Sequence, residues 1–236
     1  MILCITSGSF SQLLAVPYHI QNVILDLECN ADIVGTQFQC RNLFIGCPCQ
    51  RSSDSHGRLD QGCRLVGMDE QGEAKYAFLR GIYDSRGKSF RMEQEGSNKQ
   101  YSFCVPPLGK SHRVAVYEAC IDALAHMTLE DGRTDKYRLS LGGIAAPKEG
   151  AERATKKMKR PDALEYFLKE HPEVTEIELC TDNDFAGRWA CAQLKEQYEE
   201  KYTVVCNLPQ MEGADYGDLA KQAVEKQKKQ QKERGR

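Results

Sequence analysis

No lysine occurs before Lys75 in this 236-residue sequence, and the net formal charge is only −2. A balance this near neutral carries no global signal for a nucleic-acid or membrane partner. No apolar run approaches the length of a membrane-spanning helix. The opening stretch "MILCITSGSFSQLLAVPYHI" has no Lys or Arg and is interrupted by polar residues, so it does not read as a secretory signal peptide. Without an export signal, the eleven cysteines read as reduced thiols in a cytoplasmic protein rather than as a disulfide framework.

Where lysine is missing, cysteine is dense. Cys4, Cys29, Cys40, Cys47, Cys49 and Cys63 all precede the first lysine. Cys40, Cys47, Cys49, His56 and Cys63 are candidate zinc ligands, but their spacing lacks the paired C-x2-C knuckles of zinc modules. The compositional shift predicts an unassigned leader over residues 1–60, with poor order or a misplaced start of the reading frame as the alternatives to a metal site.

From residue 63 the pattern predicts a small β-rich domain over 63–108. "CRLVGMDEQGEAKYAFLRGIYD" reads as two strands around a turn at "DEQG", with Tyr76, Phe78 and Ile82 alternating. "GSNKQYSFCVPP" reads as a further strand through Tyr101, Phe103 and Val105, ended by Pro106-Pro107. "PPLGKSH" marks a boundary.

Strands and helices then alternate. "HRVAVYE", "KYRLSLGG", "TEIELCTDND" and "YTVVCNLP" read as strands, and "ACIDALAHMTLE", "RPDALEYFLKEHP", "FAGRWACAQLKEQYEE" and "DLAKQAVEKQKKQQKERGR" as helices. In the first helix Ile121, Leu124, Ala125 and Thr128 share the apolar face. The alternation predicts an α/β domain over 111–222, a four-stranded parallel sheet covered by helices, and a basic tail over 223–236.

Functional groups in such sheets gather at the carboxyl ends of the strands. Glu118 ends the first of these strands, Asp182 follows the third, and Asp184 opens the next helix. Asp182 and Asp184 stand only two apart, and like charges this close repel unless something compensates. Carboxylate oxygens suit Mg²⁺ or Mn²⁺, and a helix beginning near Phe185 presents free N–H groups toward a phosphate. Against that reading, Glu118 could cap its helix. Asp122 reads as a solvent-facing helix residue, and His112 and His126 as structural or exposed. Arg188, and Lys156 and Lys157 within "KEGAERATKKMKR", are candidates for phosphate contact or for a solvated face, as is the run "KQKKQQKERGR".

The combination "VAVYEACIDALA", "LSLGG", "LCTDNDFAGRWACAQL" and "LPQMEGADYGDL" resembles a TOPRIM domain, the fold shared by bacterial primases, topoisomerases, recombination mediators and a class of nucleases. It is most similar to the Toprim-like subfamily of bacterial mobile and conjugative elements. The stretch "RLVGMDEQGEAKYAFLRG" with "GSNKQYSF" resembles the domain of unknown function that precedes it there. The resemblance covers residues 63–220 and implies a TOPRIM (Rossmann-like) fold. It implies that Glu118, Asp182 and Asp184 are the catalytic and Mg²⁺-binding set, that Gly142 and Gly143 form the double glycine, and that Asp215 belongs to the closing motif. That motif is usually Asp-aromatic-Asn, and this sequence has Gly217 at the Asn position. Lys99 corresponds to a lysine near the nucleotide or nucleic-acid strand in primase cores. The implied activity is primase-like nucleotidyl transfer on single-stranded DNA with nucleotides, with helicase or relaxosome proteins as partners and no membrane. The alternatives are a TOPRIM nuclease and a non-catalytic nucleic-acid-binding module. No topoisomerase tyrosine is identifiable.

Overall fold

The computed structural model describes residues 38–40, 43–46, 62–81, 91–133, 135–147 and 157–234. The chain divides into two compact units, Met1–Val105 and Pro106–Arg236. The division falls at the start of the "PPLGKSH" boundary read from the sequence.

The first unit carries one antiparallel five-stranded sheet, in order β1 (Phe38–Cys40), β2 (Leu43–Gly46), β3 (Gly62–Met68), β4 (Ala74–Gly81), β5 (Arg91–Glu93). Two expectations change here. The sheet begins well before residue 63: β2 pairs with β3 in the register Phe44↔Val66, so part of the expected leader is a structural member of the β unit. An absence of lysine reports charge, and backbone pairing is indifferent to it. The remaining leader residues, with Cys4, Cys29, Cys47, Cys49 and His56, lie outside the described residues, as does Ile82. The expected strand through Tyr101 is replaced by a 3-10 turn over Lys99–Tyr101, because the Asn98 side chain accepts from the Gln100 N–H at 3.2 Å and bends the chain. Only Cys104–Val105 (β6) is extended there. The expected hairpin turn is present: Asp69 Oδ1 accepts from the N–H groups of Gln71 and Glu73, with Gly72 at φ +79°.

The second unit alternates as expected: β7 (Arg113–Tyr117), α1 (Cys120–Leu129), β8 (Tyr137–Ser140), α2 (Asp162–Glu170), β9 (Glu176–Leu179), α3 (Phe185–Tyr198), β10 (Thr203–Cys206), α4 (Tyr216–Arg234). Its four strands run parallel in the order β10-β9-β7-β8. The central strand β7 is a nearly continuous apolar run, as a parallel strand covered on both faces requires, while β9 (EIEL) alternates. Val114, Val116, Ile177, Leu179 and, from the helices, Leu124, Leu164 and Leu194 form the core. The expected basic tail is not a separate piece, because α4 runs through residue 223 without a break. Among the described residues no helix is long and apolar enough to cross a membrane.

Candidate active site

Parallel pairing of β7 with β9 puts the ends of both strands on one edge of the sheet. Glu118 leaves β7 there, and Asp182 follows β9. The two meet directly: the Asp182 N–H donates to Glu118 Oε1 at 3.2 Å. The double glycine closes on the same residue. The Gly143 N–H donates to the Glu118 carbonyl at 2.8 Å, and both Gly142 (φ +69°) and Gly143 (φ +100°) hold left-handed conformations that side chains resist.

The spacing of Asp182 and Asp184 also has a local cause. Asp184 caps α3, accepting the Gly187 N–H at 2.8 Å through Oδ1. Asn183, between the two aspartates, is stitched into the loop after β10: its N–H donates to the Ala214 carbonyl, its carbonyl accepts from Gly213, and its Nδ2 donates to the Pro209 carbonyl. Asp215 lies at the end of that loop and caps α4 in turn, taking the Asp218 N–H at 2.7 Å. Two helix N-termini therefore open at this edge, each bringing an aspartate and partial positive charge.

Gly187 sets how closely α3 approaches. A Cβ there would lie 2.0 Å from the Asp182 carbonyl oxygen, a backbone atom that cannot swing aside. Gly187→Ala should cost roughly 1–3 kcal/mol by overpacking and shift the backbone amide resonances of Asp182 and Asp184. Unchanged urea midpoint and spectra would refute this close-approach role.

One member of the site points opposite to expectation. Asp122, read as solvent-facing, is only 6% exposed and accepts a hydrogen bond from the Gly217 N–H. The sequence signal available was its position four residues after Glu118, in the first turn of α1 and so close to the strand ends. Burial, then the negative charges of Asp182 and Asp215, push the Asp122 carboxyl up to about 8. Burial and the charge of Asp182 likewise push Glu118 up to about 7, with Asp184 and Asp215 adding to the effect and the Asp182 N–H opposing it. The edge is thus an acidic cluster whose carboxylates raise one another's proton affinity.

Beneath it lies a buried polar network. Tyr216, between Asp215 and Gly217, stacks on His126 (centroids 4.0 Å apart, 18° between planes) and donates from its hydroxyl to the Asn207 carbonyl at 2.6 Å. Asn207 donates to Glu178, Glu178 pairs with Lys136, and Lys136 pairs with Glu130. Glu130 holds Arg138, which also reaches the Tyr117 hydroxyl. Burial pushes the His126 imidazole down to about 4, so it packs as a neutral ring.

The candidate cations are scattered. Arg188 is turned onto the loops, donating to the Asn183 carbonyl at 2.9 Å and pairing with Glu212 at 3.4 Å. Lys99 belongs to the first unit and pairs with Glu93. Lys157 is exposed, and Lys156 lies outside the described residues. His112 is exposed and bonds the Glu173 carbonyl.

Residues 115–220 match the Toprim-like family model. The second unit carries a Toprim-like domain. Its match spans Glu118, the double glycine, the Asp182–Asp184 pair and Asp215. No curated protein matches the chain. Among solved structures, the DnaG primase catalytic domain bound to ssDNA is similar at 16% identity and a TM-score of 0.43, covering 76% of this chain and 57% of its own. The primase fragment of the bacteriophage T7 primase-helicase protein is similar at 16% identity and a TM-score of 0.44, covering 77% and 63%. The RNA polymerase domain of Mycobacterium tuberculosis primase DnaG is similar at 14% identity and a TM-score of 0.43, covering 90% and 80%. The chain spans less than two thirds of the length of the first two.

Proposed function

We propose that this edge is a Mg²⁺-dependent site for phosphoryl transfer on nucleic acid, with primase-like nucleotidyl transfer as its reaction. The observation that carries the reading is the convergence of Glu118 and Asp182 in direct contact, with Asp122, Asp184 and Asp215 raising the local negative charge. Among the described residues no group of three or more His, Cys, Asp or Glu side chains forms a ready cage for a metal ion. That is compatible with Mg²⁺, which is commonly bound through one or two carboxylates, waters and substrate phosphates instead of an all-protein cage. The donor set fits: hard oxygen ligands with unrelieved mutual repulsion.

Glu118, Asp182 and Asp184 would hold the ion, or Mn²⁺ in its place. Bound there, it would neutralise charge on the transferring phosphoryl group. Glu118 would also handle a proton during attack or departure of a 3′-oxygen. The α3 N-terminus faces the phosphate with its partial positive charge. The substrates in this reading are single-stranded DNA and nucleotides, in a cytoplasmic mobile-element or conjugation system with helicase or relaxosome partners. The primase-like choice over a nuclease follows from the β unit that precedes the domain. Gly217, standing where the closing motif usually has Asn, favours as a second reading a non-catalytic nucleic-acid-binding module.

The test is template-directed dinucleotide synthesis with Mg²⁺ or Mn²⁺. Wild type should make product. Asp184→Asn should lose it by about 100-fold or more, while stability holds within a few tenths of a kcal/mol, since Asn caps a helix as well as Asp does. Cleavage without synthesis would move the assignment to a nuclease. Neither activity, with no effect of either metal on melting temperature, would leave the binding module.

A further inference from the structure

α4 starts inside the acidic site and ends far from it, and its character changes along the way. Only Tyr216 and Ala220 are buried, Ala223 and Val224 are half-buried, and every side chain from Glu225 to Arg234 is exposed. That outer part contains Lys226, Lys228, Lys229, Lys232 and Arg234 against Glu225 and Glu233. An ion pair joins Lys221 to Asp218 near the start of α4, at 4.0 Å. Among the described residues, none engages the five outer cations. The helix persists without packing because Lys, Gln, Glu and Ala are strong helix formers.

A rod of this kind is usually just a solvated face. Two things set this one apart. It is rigidly continuous with the residues around Asp215, and its sign is opposite to that of the cluster where it begins. An acidic cluster repels a phosphate backbone, so a strand entering it needs cations elsewhere to hold it. We propose that the outer half of α4 is a backbone-binding arm, contacting the phosphates of a nucleic-acid strand that extends out of the acidic site. The inference rests on the nucleic-acid reading of that site and adds the surface and the reach of its partner.

Length gives the arm a measurable signature. Lys226 to Arg234 lie roughly 15–27 Å along the helix from Tyr216 at about 1.5 Å per residue. At about 3.4 Å per nucleotide along one strand, that is about 4–8 nucleotides beyond the site. A strand shorter than this span cannot reach the arm.

The experiment uses the full chain and fluorescein-labelled DNA oligonucleotides of 4 and 20 nucleotides, titrated across a salt series. The variant is Lys228→Gln with Lys229→Gln and Lys232→Gln. Glutamine keeps helix propensity, and circular dichroism checks that helicity is unchanged. The slope of log affinity against log salt for the 20-mer should become shallower by about 2–3. Its affinity near 0.1 M salt should fall at least about tenfold. The 4-mer should bind both proteins alike. The corresponding triple Lys→Arg variant should restore slope and affinity, which separates charge from any loss of structure. Equal slopes for wild type and the glutamine variant would overturn the proposal and leave the arm to an acidic protein surface or to solvent. A wild type that binds no 20-mer would instead overturn the nucleic-acid reading beneath it.

Discussion

Metal-free protein should lose stability as pH rises from 5 to 8, and Asp122→Asn should remove most of that loss. The sign follows from the two raised carboxyls. Glu118 and Asp122 titrate at about 7 and about 8 in the folded chain, above their ordinary values of 4.5 and 3.8. Between those limits the folded state holds protons that the unfolded chain has released. Their contribution is therefore complete below about pH 4 and disappears as pH climbs through 7 and 8. Allowing for the solvent exposure of Glu118 and for coupling between the two groups, the loss amounts to about 2–3 kcal/mol. Asparagine at 122 removes the buried charge yet keeps a carbonyl oxygen for the Gly217 N–H, so the variant should be the more stable protein at pH 8 and nearly equal to wild type at pH 5. Urea midpoints with a chelator present measure this directly. A flat pH profile for wild type, or an Asp122→Asn protein less stable at pH 8, would show that the cluster is not strained. Millimolar Mg²⁺ should restore the wild type at pH 8 and do much less at pH 5, where protons compete for the same oxygens.

That strain was only partly legible in the sequence. Glu118, Asp182 and Asp184 could be located because strand ends are readable from short apolar runs closed by polar residues, and a parallel sheet collects those ends on one edge. Asp122 was misread because helical periodicity assumes one buried stripe. α1 instead buries Cys120, Asp122, Ala123, Leu124, Ala125, His126 and Met127, since it lies between the sheet and α4. A helix covered on two sides hides polar residues as readily as apolar ones, and Ile121 and Thr128, assigned to its core face, are only half-buried. The early strands β1 and β2 escaped for a different reason. They are three and four residues long, too short for alternation to rise above chance, and their pairing with β3 is a long-range choice. Asp215 was reached only through the resemblance of its closing motif. The stitching of the loop after β10 to the Asp182–Asp184 turn, through Asn183, runs mainly through backbone atoms, which no side-chain pattern encodes.

The opposite sign of effect is expected immediately below the site. Arg138→Met should destabilise the protein by about 3–5 kcal/mol, or roughly 10 °C in melting temperature for a chain of this size. Arg138 is fully buried at 0% exposure and donates to Glu130 Oε2 at 2.6 Å, the Tyr117 hydroxyl at 3.0 Å and the Arg133 carbonyl at 2.9 Å. Methionine fills much of the volume but leaves those acceptors in a dry interior with fewer donors. Lys136, at 3.0 Å from Glu130 Oε1, retains part of the compensation, which keeps the estimate from being larger. Because Tyr117, His126 and Tyr216 pack ring against ring, the damage should spread to the Asp215 loop and weaken binding of Mg²⁺ as well as lowering stability. The steep fall between pH 5 and 8 should remain, since Glu118 and Asp122 are untouched. Pairing Arg138→Met with Glu130→Gln in a double-mutant cycle isolates the ion pair from the rest of the network. A loss below about 1 kcal/mol for Arg138→Met would mean that the interior repacks or admits water around Glu130. The network would then be dispensable to the edge it underlies.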